Sequence, residues 1–155
     1  MIKRLTIGHY KLTLTFARIA KVIGVNSNLE DGRHILMWDF DDVSLNNVRY
    51  YLNQALVRYA LSDIYILRTK EPDNYIAYCF NAFEFKRAAE IIAYTKGVDW
   101  QFFRFGVYRG HWTLRVTPKN ERTPYLVDVI KGVTRADVKP SDLPSWVRYE
   151  TLSWR

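Results

Sequence analysis

Two aspartates, Asp39 and Asp41, follow the short apolar run at residues 34–38 and are spaced two residues apart. In a strand, residues two apart point to the same face, with Cα atoms about 6.6 Å apart. Two carboxylates at this separation repel each other unless water or a cation lies between them, and hard oxygen ligands suit Mg²⁺ or Mn²⁺. The pair predicts a metal site, and the simpler alternative is a solvated strand end.

A third aspartate, Asp99, follows Gly97 and Val98 and opens a predicted strand over residues 99–107. If this strand neighbours the first one, three carboxylates converge on one metal site. Metal-assisted phosphoryl transfer needs such a site, because one cation lowers the pKa of the attacking oxygen and a second stabilises the leaving group. We predict Asp39, Asp41 and Asp99 as catalytic and metal-binding residues.

Basic residues follow Asp99 closely, where a negatively charged substrate would need neutralising. We predict that these side chains contact nucleotides or nucleic acid, and the alternative is a solvated sheet face. They are Arg104, Arg109, His111, Arg115 and Lys119.

The composition is that of a globular protein with an excess of positive charge. Of its 155 residues, 23 are Lys or Arg and 16 are Asp or Glu, which gives a formal charge of +7. The apolar fraction of 48% excludes a disordered tail or a collagen-like repeat. The charge favours a polyanionic partner. Aromatic residues beside cations, as over residues 100–112, are typical of proteins that bind unpaired bases.

Neither a membrane span nor secretion is expected. No stretch approaches the roughly 18 apolar residues that a span needs. Polar residues interrupt the segment at residues 1–24 where a signal peptide would be apolar. The single cysteine, Cys79, cannot form an internal disulfide and lies in an apolar run, which predicts a buried structural residue. We expect a cytoplasmic protein without a membrane partner.

Hydrophobic spacing predicts the elements that would position these residues. Alternation over residues 3–16 indicates a hairpin bending at Gly8, and residues 34–40 indicate a central strand covered on both faces. A helix starts at Ser44, where the apolar spacing changes to three and four residues. A hairpin follows, with strands at residues 64–69 and 75–80.

The remaining elements complete an α+β fold. Asn81 and Glu84 have the spacing of a capping box for a second helix that stops at residues 96–97. A strand pair over residues 99–107 and 111–117 then turns at Arg109 and Gly110. The order strand, helix, hairpin, helix, hairpin predicts a largely antiparallel sheet with two helices on one face, as in ferredoxin-like and RNA-recognition folds.

We predict a single domain over residues 1–155. Its core would span residues 34–119, after an N-terminal strand extension at 1–33. Residues 120–155 would form a C-terminal appendage docked by Trp146 and Trp154.

The order of these motifs resembles the catalytic palm of archaeo-eukaryotic primases and primase-polymerases. The resemblance rests on Asp39-Phe40-Asp41, on Val98-Asp99 and on the basic stretch at residues 107–119. It implies a modified RNA-recognition fold and metal-dependent nucleotidyl transfer on a nucleic-acid template, with single-stranded DNA favoured. It also implies that the three aspartates bind Mg²⁺ or Mn²⁺, and that Arg109, Arg115 and Lys119 contact the nucleotide or template.

The chain departs from the family pattern at the middle hairpin, which carries a Ser/Thr-x-His motif in the family. Ile76 stands in the position expected for that histidine, and an aliphatic side chain cannot donate to a phosphate. Three interpretations stay open. The match is shifted, or His111 substitutes, or the chain binds nucleic acid without efficient synthesis.

Two other classes of nucleic-acid protein fit the same residues. A metal-dependent nuclease would use the same acids with a different nucleophile. A non-enzymatic single-strand binder would stack bases on its aromatic residues. The candidates for stacking are Trp100, Phe102, Phe103 and Phe105.

Two further enzyme classes match less of the chain. Residues 35–44 also resemble the first motif of haloacid-dehalogenase-type phosphatases, with Asp39 as nucleophile and Asp41 as general acid. That fold needs a parallel sheet, which the predicted hairpins contradict. A rolling-circle endonuclease needs a His-hydrophobe-His motif, which His9, His34 and His111 do not form.

Overall fold

A computed structural model describes residues 2–15, 18–118, 122–143 and 146–153. Lys119 and Trp154, both singled out above, lie outside the described residues, and so does the side chain of Trp146. The strands are β1 (Ile2–Ile7), β2 (Tyr10–Thr15), β3 (Arg18–Asn26), β4 (His34–Phe40), β5 (Ile64–Lys70), β6 (Asn74–Phe83), β7 (Thr113–Arg115), β8 (Tyr125–Ile130) and β9 (Trp146–Ser153). The helices are α1 (Leu45–Tyr59), α2 (Phe85–Tyr94) and α3 (Trp100–Arg109), with a short 3₁₀ turn at Pro140–Asp142.

The main sheet is antiparallel, with the strand order β4-β6-β5-β8. Both β4 and β6 are buried along most of their length, which fits their continuous apolar sequences. Burial of β4 on both faces is therefore confirmed, and the predicted central position is wrong. Within the described part of the chain β4 is the edge strand of the ladder, because its only strand partner is β6. Cys79 lies buried in β6, as predicted.

Helices α1 and α2 pack beside each other and complete the hydrophobic core. Ser44 caps α1 by accepting a hydrogen bond from Asn47 N at 3.5 Å, as the sequence predicted. The hydroxyl of Tyr59 in α1 donates to Glu90 Oε1 in α2 at 3.3 Å. Both helices bury their apolar faces in the cluster formed by β4, β5 and β6. The predicted α+β class is confirmed.

The capping box predicted for α2 is wrong. Asn81 belongs to β6, and the N-cap residue is Glu84, which makes no side-chain cap bond. Asn81 instead accepts a hydrogen bond from Ser62 N at 2.6 Å and donates to Arg135 O at 3.1 Å. A buried amide within a strand has to satisfy its polar atoms locally, so it is not free to cap the next helix.

The strand predicted over residues 99–107 is also wrong, because this segment forms helix α3. Asp99 caps the helix, and Gly110 ends it in the left-handed conformation with φ 77°. The strand predicted over residues 111–117 shortens to β7. The unit β4-α1-β5-β6-α2 thus has the predicted order, whereas a helix replaces the strand that would follow α2.

A second antiparallel sheet has the order β7-β3-β9, and β1 and β2 form a separate hairpin that turns at Gly8. The C-terminal segment is more integrated than an appendage, because β8 joins the main sheet and β9 pairs with β3. Within the described residues no helix combines the length and apolarity required to cross a membrane.

Candidate functional site

The candidate site lies at the outer edge of β4, where Asp39 and Asp99 meet. Trp38 Nε1 donates to Thr95 Oγ1 at 3.0 Å, so Trp38 faces the end of α2. Side chains alternate along a strand, and Asp39 therefore points to the opposite face. The backbone N–H of Asp99 donates to the carbonyl oxygen of Asp39 at 2.8 Å. This bond fixes the two aspartates beside each other although one is in the main sheet and the other begins α3.

Asp39 and Asp99 line a cleft of about 390 Å³ between β4, α3 and the start of β7. Arg109 and His111 line the same cleft, and so do the predicted stacking residues Phe102 and Phe105. The remaining lining residues are Gln101, Gly106, Trp112 and Thr113. The cleft combines acidic, basic and aromatic groups, and of these an arginine can bind phosphate and an aromatic ring can stack on a base.

Trp112 forms the fixed wall of this cleft. Its ring stacks on Phe85 with a centroid distance of 5.1 Å, and its Nε1 donates to Phe103 O at 3.3 Å. Gly106 lets α3 approach this ring, because a Cβ on Gly106 would lie 1.9 Å from Trp112 Nε1. The packing of Trp112 therefore sets how α3 lies against the strands and where Arg109 is presented.

A buried polar network holds the other side of Trp112. Trp112 N donates to Ser27 Oγ at 3.1 Å, and Ser27 N donates to Trp112 O at 2.8 Å. Ser27 Oγ also bonds to Nδ1 of His34 at 3.0 Å. Burial lowers the pKa of His34, which favours its neutral form. These bonds anchor the segment that carries His111 and Thr113.

The carboxyl group of Asp39 is electrostatically disfavoured as an anion. Burial raises its pKa to about 7, with further increases from the negative charges of Asp41 and Asp99. Arg115 acts in the opposite direction. The three aspartates are thus close enough to interact, and a cation among them would relieve the repulsion.

The other two aspartates also have structural partners. Asp99 Oδ1 accepts a hydrogen bond from Phe102 N at 2.6 Å, which is the N-cap bond of α3. Asp41 is exposed and does not line the cleft, and its Oδ1 accepts a hydrogen bond from Asn74 Nδ2. Each carboxylate retains a second oxygen, so these bonds leave room for another ligand.

A divalent cation fits Asp39 and Asp99 better than it fits all three aspartates. Across the described ranges, no three His, Cys, Asp or Glu side chains are gathered closely enough to hold a metal ion. Mg²⁺ is usually held by one or two protein carboxylates together with substrate phosphates and waters, and rarely by a complete protein cage. Two adjacent carboxylates in an open cleft satisfy that pattern.

The other predicted cations take different positions. Arg115 Nη1 donates to the carbonyl oxygens of Thr117 and Arg122, and its Nη2 donates to that of Thr69. It therefore connects the end of β5 to the segments that contain Thr117 and Arg122. Arg104 is exposed on α3 and lies 5.2 Å from the ring centroid of Phe105. Lys119 falls outside the described residues.

Ile76 lies directly across the β4–β6 pair from Asp39. Its side chain is only 3% exposed. An aliphatic residue therefore stands beside the carboxylate at the position where the family resemblance implied an imidazole. The imidazole that lines the cleft is that of His111, which is one of the substitutions considered from the sequence.

Sequence reasoning missed Gln101 and Thr113 as lining residues. Gln101, Phe105 and Arg109 are four residues apart, so they share one face of α3. If the segment is taken as a helix, this spacing predicts that the three side chains lie on the same side of it. Thr113 is the first residue of β7, and nothing in the sequence pattern predicts that it lines a cleft.

Comparison of the chain with protein-family models, with curated proteins and with solved structures finds no match. The function is therefore inferred from the cleft itself. Its distinguishing feature is an acidic pair that shares one opening with an arginine, a histidine and aromatic rings.

Proposed function

We propose that the protein is a primase-polymerase-like replication protein that binds nucleotides and single-stranded nucleic acid, preferably DNA, and transfers nucleotidyl groups with Mg²⁺ or Mn²⁺. One observation carries this proposal. The bond from Asp99 N to Asp39 O places two carboxylates in a cleft that also presents Arg109 and His111. Phosphoryl transfer depends mainly on positioning and on charge stabilisation, and this cleft contains groups for both.

Asp39 and Asp99 would hold the cation, with Asp41 contributing negative charge from outside the cleft. The bound cation would lower the pKa of the attacking hydroxyl and neutralise the phosphate charge. Because the pKa of Asp39 is raised to about 7, about half of these carboxyl groups carry a proton at pH 7 in the absence of a cation, and cation binding would favour the ionised form.

The remaining groups of the cleft would orient the nucleotide. Arg109 and His111 would donate to phosphate oxygens, and His111 would supply the imidazole that Ile76 cannot. Phe105 offers a ring for a base, and the guanidinium carbons of Arg104 and Arg109 lie 5.2 and 5.7 Å from its centroid. Such cation-flanked rings bind bases without regard to sequence.

The test is nucleotide incorporation on a single-stranded template with Mn²⁺. We expect Asp39→Asn and Asp99→Asn each to reduce incorporation by about 100-fold or more, since both remove a carboxylate that would ligate the cation. Asp42→Asn is the matched control, because Asp42 is an exposed neighbour with φ 57°, a conformation that Asn tolerates. Incorporation that survives both cleft substitutions would contradict the proposal.

A second candidate is a single-strand binding protein without synthesis. The position of Ile76 opposite Asp39 favours it, because no donor stands there to hold an incoming phosphate. Two results together would support this candidate. The parent protein would not incorporate nucleotides, and the Asp39→Asn variant would still bind the oligonucleotide. Shortening of the oligonucleotide in the same reactions would identify the hydrolytic alternative, a metal-dependent nuclease.

A further inference from the structure

A basic pocket, separate from the acidic cleft, lies at the turn end of the β5–β6 hairpin. Its volume is about 320 Å³. Its walls come from the end of β5, the following turn and the segment leading into β8. The side chains that define it are Arg68, Lys70, Glu71, Arg122, Thr123 and Tyr125.

Arg68 and Glu71 form the fixed floor of this pocket. Arg68 Nη1 donates to both carboxylate oxygens of Glu71, at 2.7 and 2.8 Å, and its Nη2 donates to Tyr75 OH at 2.7 Å. The hydroxyl of Tyr125 also donates to Glu71, at 2.9 Å. The single carboxylate lining the pocket is thus already paired with Arg68.

Lys70 and Arg122 supply the remaining positive charge. Both are exposed, and among the described residues neither forms an ion pair with a carboxylate. With Glu71 paired to Arg68, Lys70 and Arg122 are the two lining cations for which no described carboxylate forms an ion pair. Thr123 adds a hydroxyl to the same wall. This is the chemistry of a phosphate site, with cations and a hydroxyl around a small concavity.

Arg115 connects this pocket to the acidic cleft. Its guanidinium donates to Thr69 O and to Arg122 O, in the two segments that form the pocket walls. The positive charge of the same guanidinium lowers the pKa of Asp39, which lines the cleft. The side chain of Arg115 therefore lies between the pocket and the cleft and interacts with both.

We infer that this pocket binds a backbone phosphate of a single-stranded nucleic acid whose reacting end occupies the acidic cleft. The inference rests on the proposed function and adds to it a second subsite, the β5–β6 subsite (Arg68, Lys70, Glu71, Arg122, Thr123 and Tyr125). A strand that reached from the cleft to this subsite would run over Arg115 towards Lys70 and Arg122.

The experiment compares oligodeoxynucleotides of about 4 and about 16 nucleotides, lengths that bracket common single-strand site sizes. The double substitution Lys70→Gln with Arg122→Gln removes two charges without touching Arg68 or Arg115. The control is Lys86→Gln with Lys139→Gln, which removes the same charge from two exposed positions. Both lysines lie near the opposite end of β6. Lys86 is three residues beyond Phe83, where the strand ends, and Val138, which precedes Lys139, donates its N–H to Phe80 O.

Affinity is measured by fluorescence anisotropy over a series of salt concentrations. We expect the subsite variant to bind the longer strand about tenfold more weakly than the control variant and to bind the shorter strand equally well. The slope of log affinity against log salt should fall in magnitude by about 0.7 for the longer strand, because each neutralised phosphate of a single strand contributes about 0.7 to that slope.

The contrary outcomes are distinguishable. If the parent protein binds neither oligonucleotide, the proposed function itself fails. If the parent protein binds both and the subsite variant matches the control, only the β5–β6 subsite is overturned. Equal weakening for both lengths would mean that the pocket belongs to the primary site, which also overturns a separate subsite.

Discussion

The backbone N–H of Asp99 donates to the carbonyl oxygen of Asp39 at 2.8 Å and joins the start of α3 to the edge of the main sheet. This bond can form because the edge of β4 away from β6 has no ladder partner among the described residues. An unpaired strand edge offers its carbonyl groups to any nearby donor. Here the donor belongs to a second aspartate, and two acidic side chains are thereby held at one cleft.

Asp39→Asn should stabilise the fold above neutral pH. The folded carboxyl has a pKa of about 7 against an ordinary value of 3.8, so between these values the folded chain keeps a proton that the unfolded chain has released. The free energy of unfolding therefore falls as the pH rises through this window. An asparagine does not titrate, and we expect it to add of the order of 4 kcal/mol at pH 8 and less than about 1 kcal/mol at pH 4.

Urea denaturation with a chelator present measures this difference at both pH values. Asp42→Asn serves as the control and should change the unfolding free energy little at either pH. Equal stability of the parent and Asp39→Asn at pH 8 would show that Asp39 is not electrostatically disfavoured.

Substitutions of Asp99 should separate its structural role from its proposed catalytic role. Asp99→Ala removes the acceptor for Phe102 N and should cost about 1 kcal/mol of stability, whereas Asp99→Asn keeps an N-cap acceptor. Both remove the negative charge, so both should lose Mn²⁺-dependent incorporation. The measurements are urea midpoints and incorporation on one template. Full activity of the Asp99→Asn variant would show that Asp99 caps the helix and has no role in catalysis.

Gly106→Ala should destabilise the protein even though alanine is the better helix former. The added methyl group would lie 1.9 Å from Trp112 Nε1, so α3 or the indole ring must move. We expect a net loss of about 1–3 kcal/mol, the usual range for overpacking. The measurement is the urea midpoint, with Val107→Ala as the control because Val107 is exposed on the same helix. A midpoint equal to or above that of the parent would mean that the wall of the cleft is not tightly packed there.

The sequence predicted β4, α1, the β5–β6 hairpin and the position of α2, because in each the hydrophobic period matches the burial. Helix α3 was missed because its aromatic residues suit a strand equally well. The decisive signals were the capping residue Asp99 and Gly110 at the opposite end. The two aspartates were predicted to meet through neighbouring strands, and they meet through a helix start beside a strand edge.

The second sheet was beyond the reach of sequence patterns. Alternation shows which face of a strand is buried and does not show which strand lies beside it. The partners of β3 come from residues 113–115 and 146–153, far along the chain. The β5–β6 subsite has the same origin, since Lys70 and Arg122 are distant in sequence and meet only because β8 pairs with β5.

Strand β3 is hydrogen-bonded on one side to β7 and on the other to β9, with Arg18 opposite Ser153. During synthesis β3 is translated before the main sheet, whereas β9 follows only after the main sheet and helices α1, α2 and α3. The border of β3 that pairs with β9 stays open over that interval, which leaves its backbone groups available for wrong pairing with other chains. Chaperone dependence of folding in the cell should therefore centre on this strand.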